Sequence, residues 1–163
     1  MPTALVAPLK LLSTSEIIKK YGNPGDESLF VKIVLPYRMI VAWDKRYSIG
    51  EMTCHKLVAG NFTIAFEMLL REYGLKRIKQ LGIDLYGGCY NFRKMRGGKD
   101  WSRHSWAIAL DLDPDRNKLH ERKDTARFAR PEYKSMIDIF YDNKFINLGI
   151  EKNYDFMHFQ IGI

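Results

Sequence analysis

The chain has 163 residues, of which 46% are hydrophobic, 13% aromatic and 28% charged. That balance supports one well-buried core and excludes a disordered chain, and the length is short for two domains, so residues 1–163 read as a single domain. Lys and Arg number 26 against 19 Asp and Glu, a net charge of +7, which favours anionic partners such as wall polymers, nucleic acid or a phospholipid surface without choosing among them.

The two cysteines, Cys54 and Cys89, form neither a disulfide framework nor a CxxC pair and read as buried, idle thiols. The longest apolar stretch, Ile33 to Trp43, is interrupted by Pro36 and Arg38, far from the roughly 20 apolar residues that cross a bilayer. Met1 to Leu12 lacks the basic start and apolar run of a secretory signal, so the expectation is a chain made in the cytoplasm.

In chain order, Ser13-Thr14-Ser15 offers a capping hydroxyl before Glu16 to Tyr21, and Gly22 supplies the stop, predicting a short helix followed by a turn over Asn23 to Asp26. Phe30 to Trp43 is rich in Val, Ile, Phe and Tyr around Pro36, predicting two short strands or one edge strand bent at the proline. Ile64, Ala65, Met68, Leu69 and Tyr73 recur at three and four residues, which predicts an amphipathic helix over Asn61 to Tyr73 ended by Gly74. Ile83 to Phe92 is β-prone. Ala107 to Asp113 alternates, with Ile108, Leu110 and Leu112 on an apolar face and Ala107, Ala109, Asp111 and Asp113 on the other. Asn117 to Arg130 reads as loop, Pro131 to Asn143 as a helix with proline in its first turn, and Met157 to Ile161 as a final strand.

The chemistry-bearing residues lie around the last two strands. Asp111 has alanines as face-mates, so small neighbours leave room above a carboxylate that can reach a metal or substrate. His104 is an odd offset away and converges with Asp111 only if Arg103 to Trp106 bends. His158 lies on the non-apolar face of the final strand, with Asp155 three residues before it. Two histidines and one aspartate with a vacant fourth position fit a catalytic zinc, and a further carboxylate such as Asp155 fits a base that takes a proton from the attacking water in amide hydrolysis. Spacing alone carries this weakly, because isolated His and Asp residues are usually structural.

Ser102, His104, Ala109 and Asp111, followed by Asp155 and His158, resemble the motif of the zinc peptidases that include VanY-like and VanX-like D-alanyl-D-alanine carboxypeptidases and the phage L-alanyl-D-glutamate endolysins. Gly87 to Arg93 is similar to the family's segment carrying a substrate-facing arginine. The resemblance spans about residues 60–161, with residues 1–59 an N-terminal elaboration of the same domain. It implies that His104, Asp111 and His158 hold one zinc ion per chain, that Asp155 is the general base, and that Arg93, or else Arg96, steadies the scissile carbonyl oxygen.

The sequence departs from the family at Ala107, where a glycine is usual, and over Asn147 to Tyr154, where a Trp/Gly-rich stretch is expected; the second departure bears on substrate preference. The expected architecture is α+β, an antiparallel sheet presenting the zinc site with helices packed on the opposite face.

The implied activity is hydrolysis of the peptidoglycan stem peptide. An endolysin-like L-alanyl-D-glutamate endopeptidase comes first, since the chain is compact, basic and without a signal, and a D-alanyl-D-alanine carboxypeptidase is the close alternative. Such an enzyme would reach the bacterial wall after release or as part of a bacteriophage particle, with anionic wall polymers as further partners. From another class, the rival is a non-catalytic wall- or nucleic-acid-binding module, for which Tyr90, Phe92, Trp101 and Trp106, interleaved with cations, would form a stacking platform. His55 reads as structural, His120 as solvent-exposed, Glu151 as the rival base, and Asp113 as either a residue that orients a ligand or a turn former.

Overall fold

The computed structural model describes residues 8–163; the expectation that Met1 to Leu12 is no secretory signal falls largely outside them. Helix α1 (Thr14–Tyr21) begins where Ser13 and Glu16 form a reciprocal capping box and ends at Gly22, whose φ of 85° suits a residue without a Cβ. There follow β1 (Phe30–Val41), β2 (Ser48–His55), α2 (Ala59–Leu81), β3 (Leu85–Gly88), β4 (Ala109–Leu112), α3 (Lys134–Asp142), β5 (Phe145–Asn147), α4 (Leu148–Lys152) and β6 (His158–Ile161).

The six strands form one sheet in the order β2-β1-β3-β4-β6-β5. The fold is α+β, but the sheet is mixed rather than antiparallel. β1 and β3 run parallel through Ile40–Leu85 and Val41–Tyr86, whereas the other four pairings are antiparallel. The reason is the route of the chain: β2 returns from β1 as a hairpin, and the long crossover through α2 brings β3 in alongside β1 in the same direction.

The Pro36 region is one continuous strand, not two; β1 has neighbours on both sides in the strand order, but only Ile40 and Val41 pair with β3, so the stretch around Pro36 is open on that side, as the edge-strand alternative expects. The proline falls where the β1–β2 register shifts between Val34 and Met39, so its missing N–H breaks no regular ladder there. Gly74 does interrupt α2, with φ 71° and ψ 158°, but a further helical segment continues from there to Leu81.

The sheet's apolar face carries the core. Phe159 of β6 lies 4.2 Å (ring centroids) from Phe140 of α3, Phe145 of β5 stacks at 4.3 Å on Phe62 of α2, and Tyr37 of β1 meets Phe66 of α2 edge-on. Fully buried Leu110 and Leu112 belong to the same layer. Because side chains alternate along a strand, Ala109, Asp111, His158 and Gln160 point to the other face, away from α2 and α3. No helix among the described residues is long and apolar enough to cross a membrane.

Candidate active site

β4 and β6 pair in a register that sets Asp111 directly opposite His158 and Ala109 opposite Gln160. Directly opposed residues in an antiparallel pair share a face, so this register alone places a carboxylate beside an imidazole. His104 arrives by the bend that its odd offset requires. Arg103–Trp106 is a 3-10 turn capped by Ser102, and Ala107 reverses the chain in the left-handed region at φ 54°, ψ 37°. A glycine takes that conformation without strain, which explains why glycine is usual at this position.

The turn is anchored on its far side, where the Trp106 indole N–H donates to Gly22 O at 2.8 Å and Gly25 N–H donates to Ser105 O at 2.7 Å. The strand starts only at Ala109 and ends at Leu112. Asp113 therefore does not share the face of Asp111 as the alternation predicts. It turns left-handed at φ 44° and meets Arg116 on the far side, where it is buried in an ion pair.

One ligand-type atom from each of His104, Asp111 and His158 lies within 4.8 Å of the others. His104 Nε2 is 3.2 Å from Asp111 Oδ2, and His158 Nδ1 is 3.1 Å from Asp111 Oδ1. The two imidazole rings stand nearly perpendicular, 5.0 Å apart. The outer nitrogens are engaged elsewhere: His104 Nδ1 lies 2.8 Å from the Cys89 carbonyl oxygen, and His158 Nε2 lies 3.0 Å from Gln160 Oε1. Both partners can only accept, so each outer nitrogen carries a proton; in the neutral rings each inner nitrogen then presents a lone pair, and His158 Nδ1 donates to Asp111 Oδ1 only when the ring is protonated.

His104 Nε2 is buried without a hydrogen-bond partner; it faces Asp111 at ion-pair distance but off the line of a hydrogen bond. Two imidazole lone pairs converging on a carboxylate call for a positive charge between them, and a His2Asp set with its outer nitrogens held in this way fits zinc. Burial opposes charge on Asp111, yet the adjoining His104 and His158 hold its carboxyl well below the usual range. Burial pushes His158 down, but its hydrogen bond to Asp111 prevails and the net shift is upward.

Residues 96–161 match a family profile described as D-alanyl-D-alanine carboxypeptidase. This stretch is similar to the VanY-like zinc peptidases. Comparisons with curated proteins and with solved structures give no match. The matched residues take in His104, Asp111, Asp155 and His158 and begin three positions after Arg93, so the segment Gly87 to Arg93 lies outside them. The protein is accordingly a hydrolase acting on cell-wall peptides, in a family whose members depend on zinc.

His104, Asp111 and His158 form part of the lining of a cleft of about 590 Å³, together with Asp155, Arg93 and Arg96. Asp155 sits in the turn before β6 at φ 58°, where its N–H donates to Leu119 O at 2.9 Å and its C=O accepts from His158 N–H. Burial pushes its carboxyl above the usual aspartate range; His158 opposes the shift, the Asp111 charge adds to it, and His104 and Arg93 oppose it. Arg93 is thus close enough to act on Asp155 electrostatically. Its backbone is clamped by Ser105, whose hydroxyl donates to Arg93 O at 2.9 Å and accepts from Arg93 N–H at 3.2 Å. Arg96 also borders the cleft but is more exposed.

Glu151, the rival base, is tied to the Tyr141 hydroxyl at 2.7 Å and does not line the cleft. His120 is exposed at the rim, outside the donor trio. His55 is structural, its Nε2 lying 2.9 Å from Tyr21 O. Cys54 and Cys89 are buried free thiols, and burial pushes the Cys54 thiol up to about 12. The aromatics offer no open stacking row: Trp101 has Phe92 stacked on it and Lys94 over its ring, Trp106 is fully buried, and Tyr90 packs against Phe30.

Two contributors went unread in the sequence. Gln160 orients His158, and its signal was its position two residues on along the same face. Gly87 lies against Asp111, where an added Cβ would come within 3.0 Å of the Asp111 backbone oxygen; the close approach of β3 to β4 needs a glycine there.

Proposed function

We propose that the protein is a zinc endopeptidase of the peptidoglycan stem peptide, cutting the L-alanyl-D-glutamyl bond. The observation that carries the peptidase reading is the convergence of the unpartnered His104 Nε2, the Asp111 carboxylate and His158 Nδ1 in the lining of one cleft. These three residues would hold the ion, one per chain. The chemistry zinc supplies when bound is Lewis acidity, which polarises the scissile carbonyl and acidifies a water molecule.

Asp155 is the base: its carboxylate takes the proton of the attacking water and returns a proton to the amine nitrogen as the C–N bond breaks. A carboxyl raised by burial suits both halves of that transfer better than an ordinary aspartate. The Arg93 guanidinium, held at the cleft by the Ser105 clamp, supplies fixed positive charge where the carbonyl oxygen becomes negative. The endopeptidase assignment is supported by a cleft bordered from Leu11 and Leu12 to Lys152, with more cations than one terminal carboxylate requires. The family's description favours D-alanyl-D-alanine carboxypeptidase as the second reading. The enzyme would be made in the cytoplasm and meet the wall after release or as part of a phage particle.

The test is incubation of purified muropeptides with the zinc-loaded protein, with and without chelator, and mass analysis of the fragments. Chelator-sensitive cleavage between L-alanine and D-glutamate is expected; release of terminal D-alanine instead would establish the second reading. Absence of any chelator-sensitive cleavage would overturn both.

A further inference from the structure

Five strongly basic residues border the cleft, Arg93, Arg96, Arg103, Arg122 and Lys152, against two acids, Asp111 and Asp155. Both acids already have roles at the catalytic centre. Arg103 is also committed: its guanidinium donates to Thr14 Oγ1, Leu12 O and Trp101 O and pairs with Asp100. Arg93 is assigned to the scissile carbonyl. Arg96, the alternative to Arg93 for that role, Arg122 and Lys152 remain, and none of the three makes an ion pair or a side-chain hydrogen bond among the described residues; Arg122 and Lys152 are the two with no part at the scissile bond.

These two cations sit on elements fastened to each other and to the base. Lys123 N–H donates to Asn153 Oδ1 at 2.8 Å, and Asp155 N–H donates to Leu119 O at 2.9 Å. The loop carrying Arg122 is thereby bound to the end of α4, which carries Lys152, and to the turn that holds Asp155. Asn153, at φ 56°, makes the left-handed reversal between α4 and that turn. Two exposed cations without protein partners, carried at the cleft margin on elements tied to the turn of the catalytic carboxylate, offer positive charge to an anionic group of a bound peptide.

We propose that Arg122 and Lys152 form a subsite for a free carboxylate on the peptide substrate, at a residue flanking the scissile bond. The inference rests on the peptidase reading and narrows its substrate class: peptides whose glutamyl residue carries a free carboxylate are preferred over those in which it is a carboxamide. The subsite lies on Asn117 to Arg130 and on the Asn147 to Tyr154 stretch, the latter being where the sequence departs from the family pattern.

The test uses two synthetic stem peptides that differ only in a free carboxylate or a carboxamide at the glutamyl residue, with the zinc-loaded full chain. Wild type should favour the carboxylate peptide by roughly tenfold or more in kcat/KM, expressed in KM, as expected for a charge-assisted contact. Arg122→Gln/Lys152→Gln should abolish that preference. Lys123→Gln, a neighbouring charge outside the cleft lining, should retain it. Equal use of both peptides by wild type would overturn the proposal, as would a preference that survives in the double variant.

A second arm separates this failure from failure of the peptidase reading. Calorimetric binding of the same peptides to metal-stripped protein should show the carboxylate preference in wild type and lose it in the double variant. If neither peptide is cut but the binding preference holds, the subsite stands and the peptidase reading falls; if the binding preference is absent, the subsite falls.

Discussion

The two ends of the sheet are built on different principles. At one end, β1 and β2 are 12 and 8 residues long, and β1 is held down by a row of buried Ile33, Leu35, Tyr37, Met39 and Val41 against α2. At the other, β3, β4 and β6 are four residues each. Their outward face is polar, positioned by strand register and by hydrogen bonds to the outer nitrogens of two histidines. The first end supplies stability through apolar area; the second supplies geometry, and one of its nitrogens, His104 Nε2, is left without a protein partner. Substitutions at the two ends should therefore separate function from stability.

The largest effect is expected at His158. His158→Ala should abolish both zinc binding and turnover, read as metal content of the dialysed protein and as muropeptide hydrolysis, while α2 and α3 keep the fold. Asp155→Asn should lower turnover by roughly 10²- to 10⁴-fold, the usual contribution of a general base, yet leave zinc at one per chain. Joint loss of metal in that variant would remove Asp155 from the role of base.

The same substitution should change stability in the opposite direction. The folded pKa of Asp155 lies above its ordinary value of 3.8, so the native state binds the proton more tightly than the unfolded chain and stability falls as pH rises through that interval. Below the ordinary value the effect is absent; above the raised value it is complete. In metal-stripped protein, Asp155→Asn should consequently melt higher than wild type at pH 7, and the gap should close on acidification. A constant gap across pH would assign the effect to something other than this carboxyl.

Phe66→Ala tests the other end. Phe66 is fully buried, and truncation should cost about 3–5 kcal/mol in denaturant unfolding, with zinc affinity of the folded fraction unchanged. Gln160→Ala comes next. Removing the acceptor that orients His158 should weaken zinc binding by about 10- to 100-fold, the usual cost of losing such a contact, measured by chelator competition, with little loss of thermal stability.

This contrast also explains what could be read in advance. The capped helix α1, the first part of α2 up to Gly74, and the trio His104, Asp111 and His158 all carry local signals: a capping hydroxyl, a 3.6-residue period, a motif. β2 has Gly50 and Glu51 inside it, β5 has three residues and α4 five; each exists because a neighbour pairs with it. The parallel β1–β3 pairing follows from the path of α2 rather than from either strand's composition. Asp113 was placed on the site face by an alternation that the backbone abandons at Leu112. The Cys89 carbonyl that sets the His104 tautomer is main chain, and no residue type announces it.

The smallest effect concerns Ala107 and Ala109, two fully buried alanines two positions apart. Ala109 is in the extended backbone of β4, so Ala109→Gly should destabilise by about 1 kcal/mol through added freedom of the unfolded chain and a lost buried methyl. Ala107→Gly loses the same methyl and gains the same freedom, but it also releases a left-handed conformation that costs an L-residue about 1 kcal/mol or more. The two should offset, leaving Ala107→Gly within about 0.5 kcal/mol of wild type in denaturant unfolding. If both substitutions cost the same, the bend that delivers His104 is held without strain, and the family's glycine at this position needs a different explanation.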